Sequence, residues 1–202
     1  KPIKDSDDTN ITLPFGYIIR EGYLIGPSVN LTNAVFENEI DFTDINFGNS
    51  ILTNIYFKNN IQNVQENSLP EGYNYRNSRI LGPDVNLSNI DLSESTVDLR
   101  DIDLSNAILD NIIFGTIITN SNTKLPSGYK IFESNDDIYI LGSGIDISGN
   151  ENAVGLKLFD IDLKNSIFGS DNLINAVSNG TITLGTDDNG KPIKDSDDTN
   201  IT

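Results

Sequence analysis

The stretch from Ile102 to Phe114 reads Ile-Asp-Leu-Ser-Asn-Ala-Ile-Leu-Asp-Asn-Ile-Ile-Phe. An apolar residue stands at every fifth position, at Leu99, Leu104, Leu109 and Phe114. A second apolar set lies two residues earlier, at Val97, Ile102, Ala107 and Ile112. Asn, Asp and Ser fill most of the remainder. A period of five matches neither the period of a helix nor the alternation of a long strand. It fits a chain that makes one short strand, turns a corner and repeats. The central apolar residue of each pentapeptide (position i) and the residue at i−2 share one face of that strand. The polar residues suit corners because Asn, Asp and Ser bond their own backbone in turns. Four corners close a square coil, on which the next coil stacks by parallel pairing.

The same phase recurs in Ala34–Asn38 (AVFEN), Ile40–Asp44 (IDFTD), Ile45–Asn49 (INFGN), Ser50–Asn54 (SILTN), Ile102–Asn106 (IDLSN) and Ile161–Asn165 (IDLKN). This pattern resembles the pentapeptide-repeat family, whose motif is roughly A-(D/N)-L-x-x, over about half of the chain. The resemblance implies an all-β, right-handed parallel β-solenoid of quadrilateral coils. One departure is the frequent Ile at i−2, where the family usually carries a small residue: Ile40, Ile45, Ile55, Ile102, Ile112 and Ile161. The resemblance bears on fold; function sits in sites grafted onto folds.

Two longer repeats enclose the pentapeptides. Residues 1–12, KPIKDSDDTNIT, are identical to residues 191–202, so the sequence starts over after 190 residues. Within that period, LPFGY begins at Leu13, LPEGY at Leu69 and LPSGY at Leu125. The expected organisation is a connector at 1–12, repeat units at 13–68, 69–124 and 125–179, and an acidic connector at 180–202. Each unit opens with a Pro-Gly-Tyr entry, two short apolar runs about a polar turn, and a Gly. These leaders read as β-hairpins. In the first, Tyr17–Ile19 and Tyr23–Ile25 flank Arg20-Glu21-Gly22; in the second, Tyr73–Tyr75 and Ile80-Leu81 flank Arg76-Asn77-Ser78. The third is expected to have a longer turn containing Asp136 and Asp137. After the leaders, the five-residue step lengthens to six between Phe36 and Phe42 and to seven between Leu92 and Leu99. That irregularity reads as a bulged corner or small loop.

The 202 residues carry a formal charge of −17, and there is no Cys, His, Met or Trp. The absence of Met, including at position 1, fits a segment of a longer tandem chain. Without Cys there are no disulfides and no thiolate chemistry. Without His there is no side chain that ordinarily titrates near neutrality. No nucleophile motif or phosphate-cradling Gly loop occurs, so no catalytic residue and no organic cofactor is assigned. The acidity argues against nucleic acid as a partner, and no apolar run is long enough to span a membrane as a helix.

The expected core ladder is Phe42, Phe47, Leu52, Phe57, Leu99, Leu104, Leu109, Phe114, Leu158, Leu163 and Phe168. Position i−1 faces solvent and is mostly Asp or Asn, as at Asn30, Asp41, Asn46, Asp91, Asp103 and Asp162. Ile51, Ile108 and Ile167 break that rule at the equivalent pentapeptide of the three units, with Tyr56 and Ile113 one pentapeptide further on. They are the candidate interface. Two readings apply: a stripe that contacts a neighbouring chain, or residues covered by the unit's own returning segment, such as Ile61–Leu69. In the connector, Asp187, Asp188, Asn189, Asp195, Asp197 and Asp198 supply closely spaced hard oxygens. Ca²⁺ takes 6–8 such ligands, but the regular EF-hand spacing is absent, so calcium and a solvated acidic turn are both open. Asn-x-Ser/Thr sites at Asn10, Asn30, Asn86, Asn179 and Asn200 permit surface glycans without requiring them.

The functional expectation is a structural protein. The chain would be one module of a tandemly repeated β-solenoid forming an extracellular or cell-surface fibre, stalk or adhesin shaft. Its partners would be copies of itself, end to end and side by side. The alternative comes from the family resemblance: some pentapeptide-repeat proteins are acidic rods that imitate duplex DNA and bind DNA gyrase.

Overall fold

The computed structural model describes residues 13–134, 137–150, 153–169, 172 and 176–183. The protein is all-β, and among the described residues one 3-10 turn, Glu66–Ser68, is the only helical element. Among the described residues fourteen short strands run in chain order: β1 Ile18–Arg20, β2 Tyr23–Ile25, β3 Val35–Phe36, β4 Ile40–Asp41, β5 Tyr56–Phe57, β6 Ile61–Gln62, β7 Asn74–Arg76, β8 Arg79–Leu81, β9 Asp91–Asp98, β10 Ile113–Ile118, β11 Lys130–Ser134, β12 Asp137–Leu141, β13 Lys157–Asp162 and β14 Val177–Thr183. They form seven two-stranded sheets of two kinds. Three are antiparallel hairpins of adjacent strands: β1–β2, β7–β8 and β11–β12. Four are parallel pairs of segments about twenty-one residues apart: β3–β5, β4–β6, β9–β10 and β13–β14. The chain divides into two compact units, residues 1–87 with 102–108, and residues 88–101 with 109–202.

The hairpins are the three leaders. In the first two, the first strand lies one residue later than the sequence suggests, at Ile18–Arg20 and Asn74–Arg76, leaving two-residue turns. Ile18 pairs with Ile25 and Arg20 with Tyr23. The turn residues Glu21 and Gly22 both have positive φ, as do Asn77 and Ser78 in the second leader. Two successive positive φ values define the type I′ turn, whose twist matches that of a strand pair. In the third leader Ser134 pairs with Asp137. The extra residues of that leader therefore lengthen its strands rather than its turn, and Asp137 lies in β12, not in the turn; Asp136 lies outside the described residues.

A Tyr–Gly clasp closes each leader. A Cβ placed on Gly26, Gly82 or Gly142 would fall inside the ring of Tyr17, Tyr73 or Tyr129 respectively. The hydroxyls then bond just beyond the glycine: Tyr17 donates to the Pro27 carbonyl at 3.0 Å, Tyr129 to the Ser143 carbonyl at 2.5 Å, and Tyr73 to the Asp84 carboxylate. The Tyr of the leader motif and the Gly nine to thirteen residues downstream thus act as one unit, with the ring lying where a side chain would stand.

Between leaders the chain turns a corner every pentapeptide. The amide at i+3 donates to the carbonyl at i: Ala34 to Leu31 at 2.9 Å, Ile45 to Phe42 at 3.0 Å, Ile55 to Leu52 at 3.0 Å and Ala107 to Leu104 at 2.9 Å. Many corner residues at i+2 have positive φ, among them Asn33, Asp44, Asn54, Asn89, Asp101, Asn111 and Asn165. A positive φ at the third residue of a turn is the type II requirement, and Asn and Asp tolerate it better than other side chains. This is the physical source of the chain's Asn content.

The expected core ladder is buried at Phe42, Phe47, Leu52, Phe57, Leu99, Leu104, Leu109, Phe114, Leu158 and Leu163, while Phe168 is half-buried. Ile at i−2 is accommodated: Ile40, Ile45, Ile55, Ile102, Ile112 and Ile161 are all buried. In the first unit Phe36 stacks on Phe57 with ring centroids 5.0 Å apart, and Phe42 meets Phe47 and Phe57 edge-on at 5.0 and 5.9 Å. Each such side chain contributes about 1.5–3 kcal/mol by burial.

The lengthened step of the second repeat is a bulge within a strand. Leu92 pairs with Phe114 and Thr96 with Thr116, so Ser93, Glu94 and Ser95 lie opposite the single residue Gly115. A Cβ on Gly115 would meet the carbonyl oxygens of Leu92, Ser93 and Ser95. Gly149, by contrast, has nothing within 4 Å of such a Cβ. Accordingly Gly82→Ala and Gly115→Ala should each destabilise by about 2–4 kcal/mol, and Gly149→Ala should be close to neutral. Denaturant melts of the three variants check this.

Candidate functional site

The i−1 positions explain themselves at the corners. Their carboxylate or carboxamide oxygen accepts the amide hydrogen of residue i+1: Asn30 from Thr32 at 2.9 Å, Asp41 from Thr43 at 2.8 Å, Asn46 from Gly48 at 2.7 Å, and Asp91, Asp103, Asp146 and Asp162 likewise at 2.9 Å. This Asx turn satisfies the corner amide that neither the turn nor the parallel pairing uses. Neighbouring corners are also tied together. Asn54 donates its side-chain amide to Asn33 at 2.7 Å, and Asn63 to Asp41 at 3.0 Å. Asp101 accepts from Asn120 at 3.1 Å and Asn122 at 2.7 Å.

These bonds favour the charged carboxylate. Side-chain bonds from Thr43 and Asn63 hold the Asp41 carboxyl below its usual range, and those from Asn122 and Asn120 do the same for Asp101. At Glu21 partial burial pushes the carboxyl up, but bonds from the Glu37 and Asn38 amides at 2.8 Å outweigh it and the net shift is downward. A depressed folded-state pKa contributes stability that is present above the unfolded value and lost as pH falls through the folded one.

Against this background Ile51, Ile108 and Ile167 stand out. They are 49%, 37% and 49% exposed. They occupy the Asx position, so the corner forgoes that acceptor while presenting an apolar side chain to solvent. The returning segment does not cover Ile51: Ile61 is itself buried, paired with Ile40, and the Ser68 carbonyl takes the amides of Phe47 and Gly48 instead.

Nor do these isoleucines form one stripe. In the first compact unit Ile51 bridges Asn30, whereas Ile108 bridges Asn86, which bridges Tyr56, which pairs with Val35. Ile108 therefore shares a ladder with Tyr56 and Val35, not with Ile51. In the second compact unit Ile167 bridges Asp146, which bridges Ile113, which pairs with Asp91. The reason is arithmetic in the backbone. Asn86 pairs with Tyr56, five residues past the Ile51 that pairs with the equivalent Asn30, and Asp146 pairs with Ile113, five residues past the Ile108 that pairs with Asn86. Each repeat thus advances the equivalent site by one pentapeptide. What results is apolar ladders interrupted by Asn or Asp, with half-exposed Val35, Tyr56 and Ile108 in one and Ile113 and Ile167 in the other.

The connector residues Asp187, Asp188, Asn189, Asp195, Asp197 and Asp198 lie outside the described residues. Among the described residues, no three carboxylates are grouped closely enough to hold a metal ion, and no helix is long and apolar enough to cross a membrane. Comparison with protein families, curated proteins and solved structures finds no match to this chain.

Two outcomes follow from the corner chemistry. Acidification should weaken the fold as pH falls below about 4, and Asp41→Asn, which keeps the acceptor without the charge, should flatten that dependence; thermal melts across pH 2–7 measure it. Ile51→Asn and Ile108→Asn supply the missing Asx acceptor, so each should leave stability unchanged or raise it by about 0.5–1 kcal/mol. A loss above that size in a denaturant melt would mean that the isoleucines serve the fold.

Proposed function

We propose that this chain is one module of a tandemly repeated β-solenoid of pentapeptide coils, serving as the shaft of an extracellular or cell-surface fibre, stalk or adhesin. The observation that carries the reading is the repeated joint between leader and coil. At Asn86 and again at Asp146, the first strand after a leader pairs in parallel with the coil before it. The leaders therefore interrupt the pairing without ending it. The identity of residues 1–12 with 191–202 adds that the sequence starts over.

The mechanical role follows from the bonding. Parallel ladders bond across successive coils, so pulling coils apart breaks several backbone bonds and separates the Phe and Leu layers together. The charge of −17 keeps such shafts apart,. Partners are other copies of the module, and no catalytic role is assigned. At the acidic connector, calcium held by the closely spaced carboxylates stays a proposal beside a solvated acidic turn, and a melting temperature that differs between chelator and millimolar Ca²⁺ would favour calcium. The DNA-imitating alternative draws support from the charge alone.

Electron microscopy of the native product tests the reading. With about 20 residues per coil at ~4.8 Å, a 190-residue period would rise roughly 45 Å. Filaments with an axial repeat of about 40–80 Å are expected. Short discrete particles would remove the fibre reading, and inhibition of gyrase would then decide for the alternative.

A further inference from the structure

The first leader has, among the described residues, an edge left open where the second and third leaders are paired. In the second leader the side facing the preceding coil is bonded to it: the Ser78 carbonyl accepts from the Ile61 amide at 3.0 Å, Arg79 donates to the Phe57 and Asn59 carbonyls at 2.7 Å each, and the Asn86 amide donates to the Ile55 carbonyl at 3.0 Å. In the third, the Asp146 amide donates to the Ile112 carbonyl at 3.3 Å. The residues equivalent to Ser78, Arg79 and Asn86 in the first leader are Gly22, Tyr23 and Asn30. Together with Leu24, Val29, Leu31 and Thr32 they line an open cleft of about 260 Å³.

Burial marks the same cleft. Tyr23, Leu24 and Val29 are half-buried. Their equivalents Arg79 and Tyr139, Ile80 and Ile140, and Val85 and Ile145 are all buried, at 7% exposure or less. Asn30 is bonded on its other side as its equivalents are: Leu31 donates to the Ile51 carbonyl at 2.8 Å and Ile51 to the Val29 carbonyl at 2.9 Å. Its own amide is aimed into the cleft and, among the described residues, has no acceptor. The leader covers the rest of this edge, with the Tyr23 hydroxyl accepting from the Val35 amide at 3.4 Å and Glu21 accepting from Glu37 and Asn38.

We infer that this cleft is the docking seat for the carboxyl-terminal coil of a second copy of this chain, added as a parallel strand along Val29–Thr32. The inference rests on the module reading above and names the contact that joins one module to the next. The occupant is a copy of the same chain because the two equivalent seats are each filled by a pentapeptide coil of this sequence. In addition, β14 pairs with β13 on one side and has no strand on the other among the described residues. The added strand would bond the Asn30 amide and bury Leu24 and Val29 as Ile80 and Val85 are buried.

Sedimentation equilibrium and amide hydrogen exchange on the 202-residue chain, unaltered and as Leu24→Asp, test the seat. The expected result is concentration-dependent, open-ended association of the unaltered chain. Exchange at the Asn30 amide should slow at least about tenfold on association, while Asn86 and Asp146 are protected at every concentration. Leu24→Asp should fold with an unchanged melting temperature when dilute and associate at least about tenfold more weakly. A chain that stays monomeric, association that leaves Asn30 unprotected, or association unaffected by Leu24→Asp would each overturn the inference. Regular filaments of the native product combined with any of those results would leave the fibre reading standing and remove only this joint.

Discussion

A chain that changes direction every five residues must satisfy its backbone amides at each corner without a helix or a long strand to do it. Here the solution is local and repeated. One amide closes the turn, another is taken by the Asp or Asn at i−1, and a residue of positive φ at i+2 lets the turn fit. Everything else depends on this, because an unpaired buried amide forfeits about as much as the burial of a small apolar side chain contributes. Once the corners are satisfied, the short straight sides are free to pair in parallel and to point their i and i−2 side chains inward.

The leaders solve a different problem. A hairpin inserted between pentapeptide runs would leave strand edges uncovered on both sides. The first two leaders use their own groups to bond those edges: the Glu21 carboxylate on the Glu37 and Asn38 amides, Arg79 on the Phe57 and Asn59 carbonyls, and Tyr75 on the Ile61 carbonyl at 2.8 Å. Arg79 shows how far this goes. Its guanidinium is buried and its pKa is lowered by that burial, yet two backbone carbonyls accept from it. The Tyr–Gly clasp then fixes each hairpin. Burial pushes the Tyr129 hydroxyl up to about 12, helped by the charges of Asp110 and Asp162, so the clasp stays neutral at any physiological pH.

Surface chemistry follows the same logic. The acidic residues that give the chain its charge are, at the corners, acceptors for backbone amides, so the charge is in part a by-product of turning. The isoleucines at Ile51, Ile108 and Ile167 give up that acceptor and remain exposed. At three equivalent positions the chain thus trades a turn contact for solvent-exposed apolar surface.

The sequence by itself determined the local rules. Its period of five located the corners and the buried positions, and its three LPxGY motifs located the hairpins. It even marked the three isoleucines as exceptions. These features are legible because each depends on a residue's own backbone preference or on neighbours within a few positions. Only the tertiary structure decided which side each pentapeptide occupies, because parallel pairing joins residues some twenty to thirty positions apart. That spacing depends on how many residues a hairpin or a bulge removes from the stack. Hence the expected stripe became separate ladders, the irregular step became a bulge around Gly115, and the need for Gly26, Gly82 and Gly142 emerged only with the tyrosine rings laid across them. The unbonded Asn30 amide is likewise invisible in sequence, since Asn30 and Asn86 sit in the same local motif and, among the described residues, only Asn86 is also paired with a preceding strand.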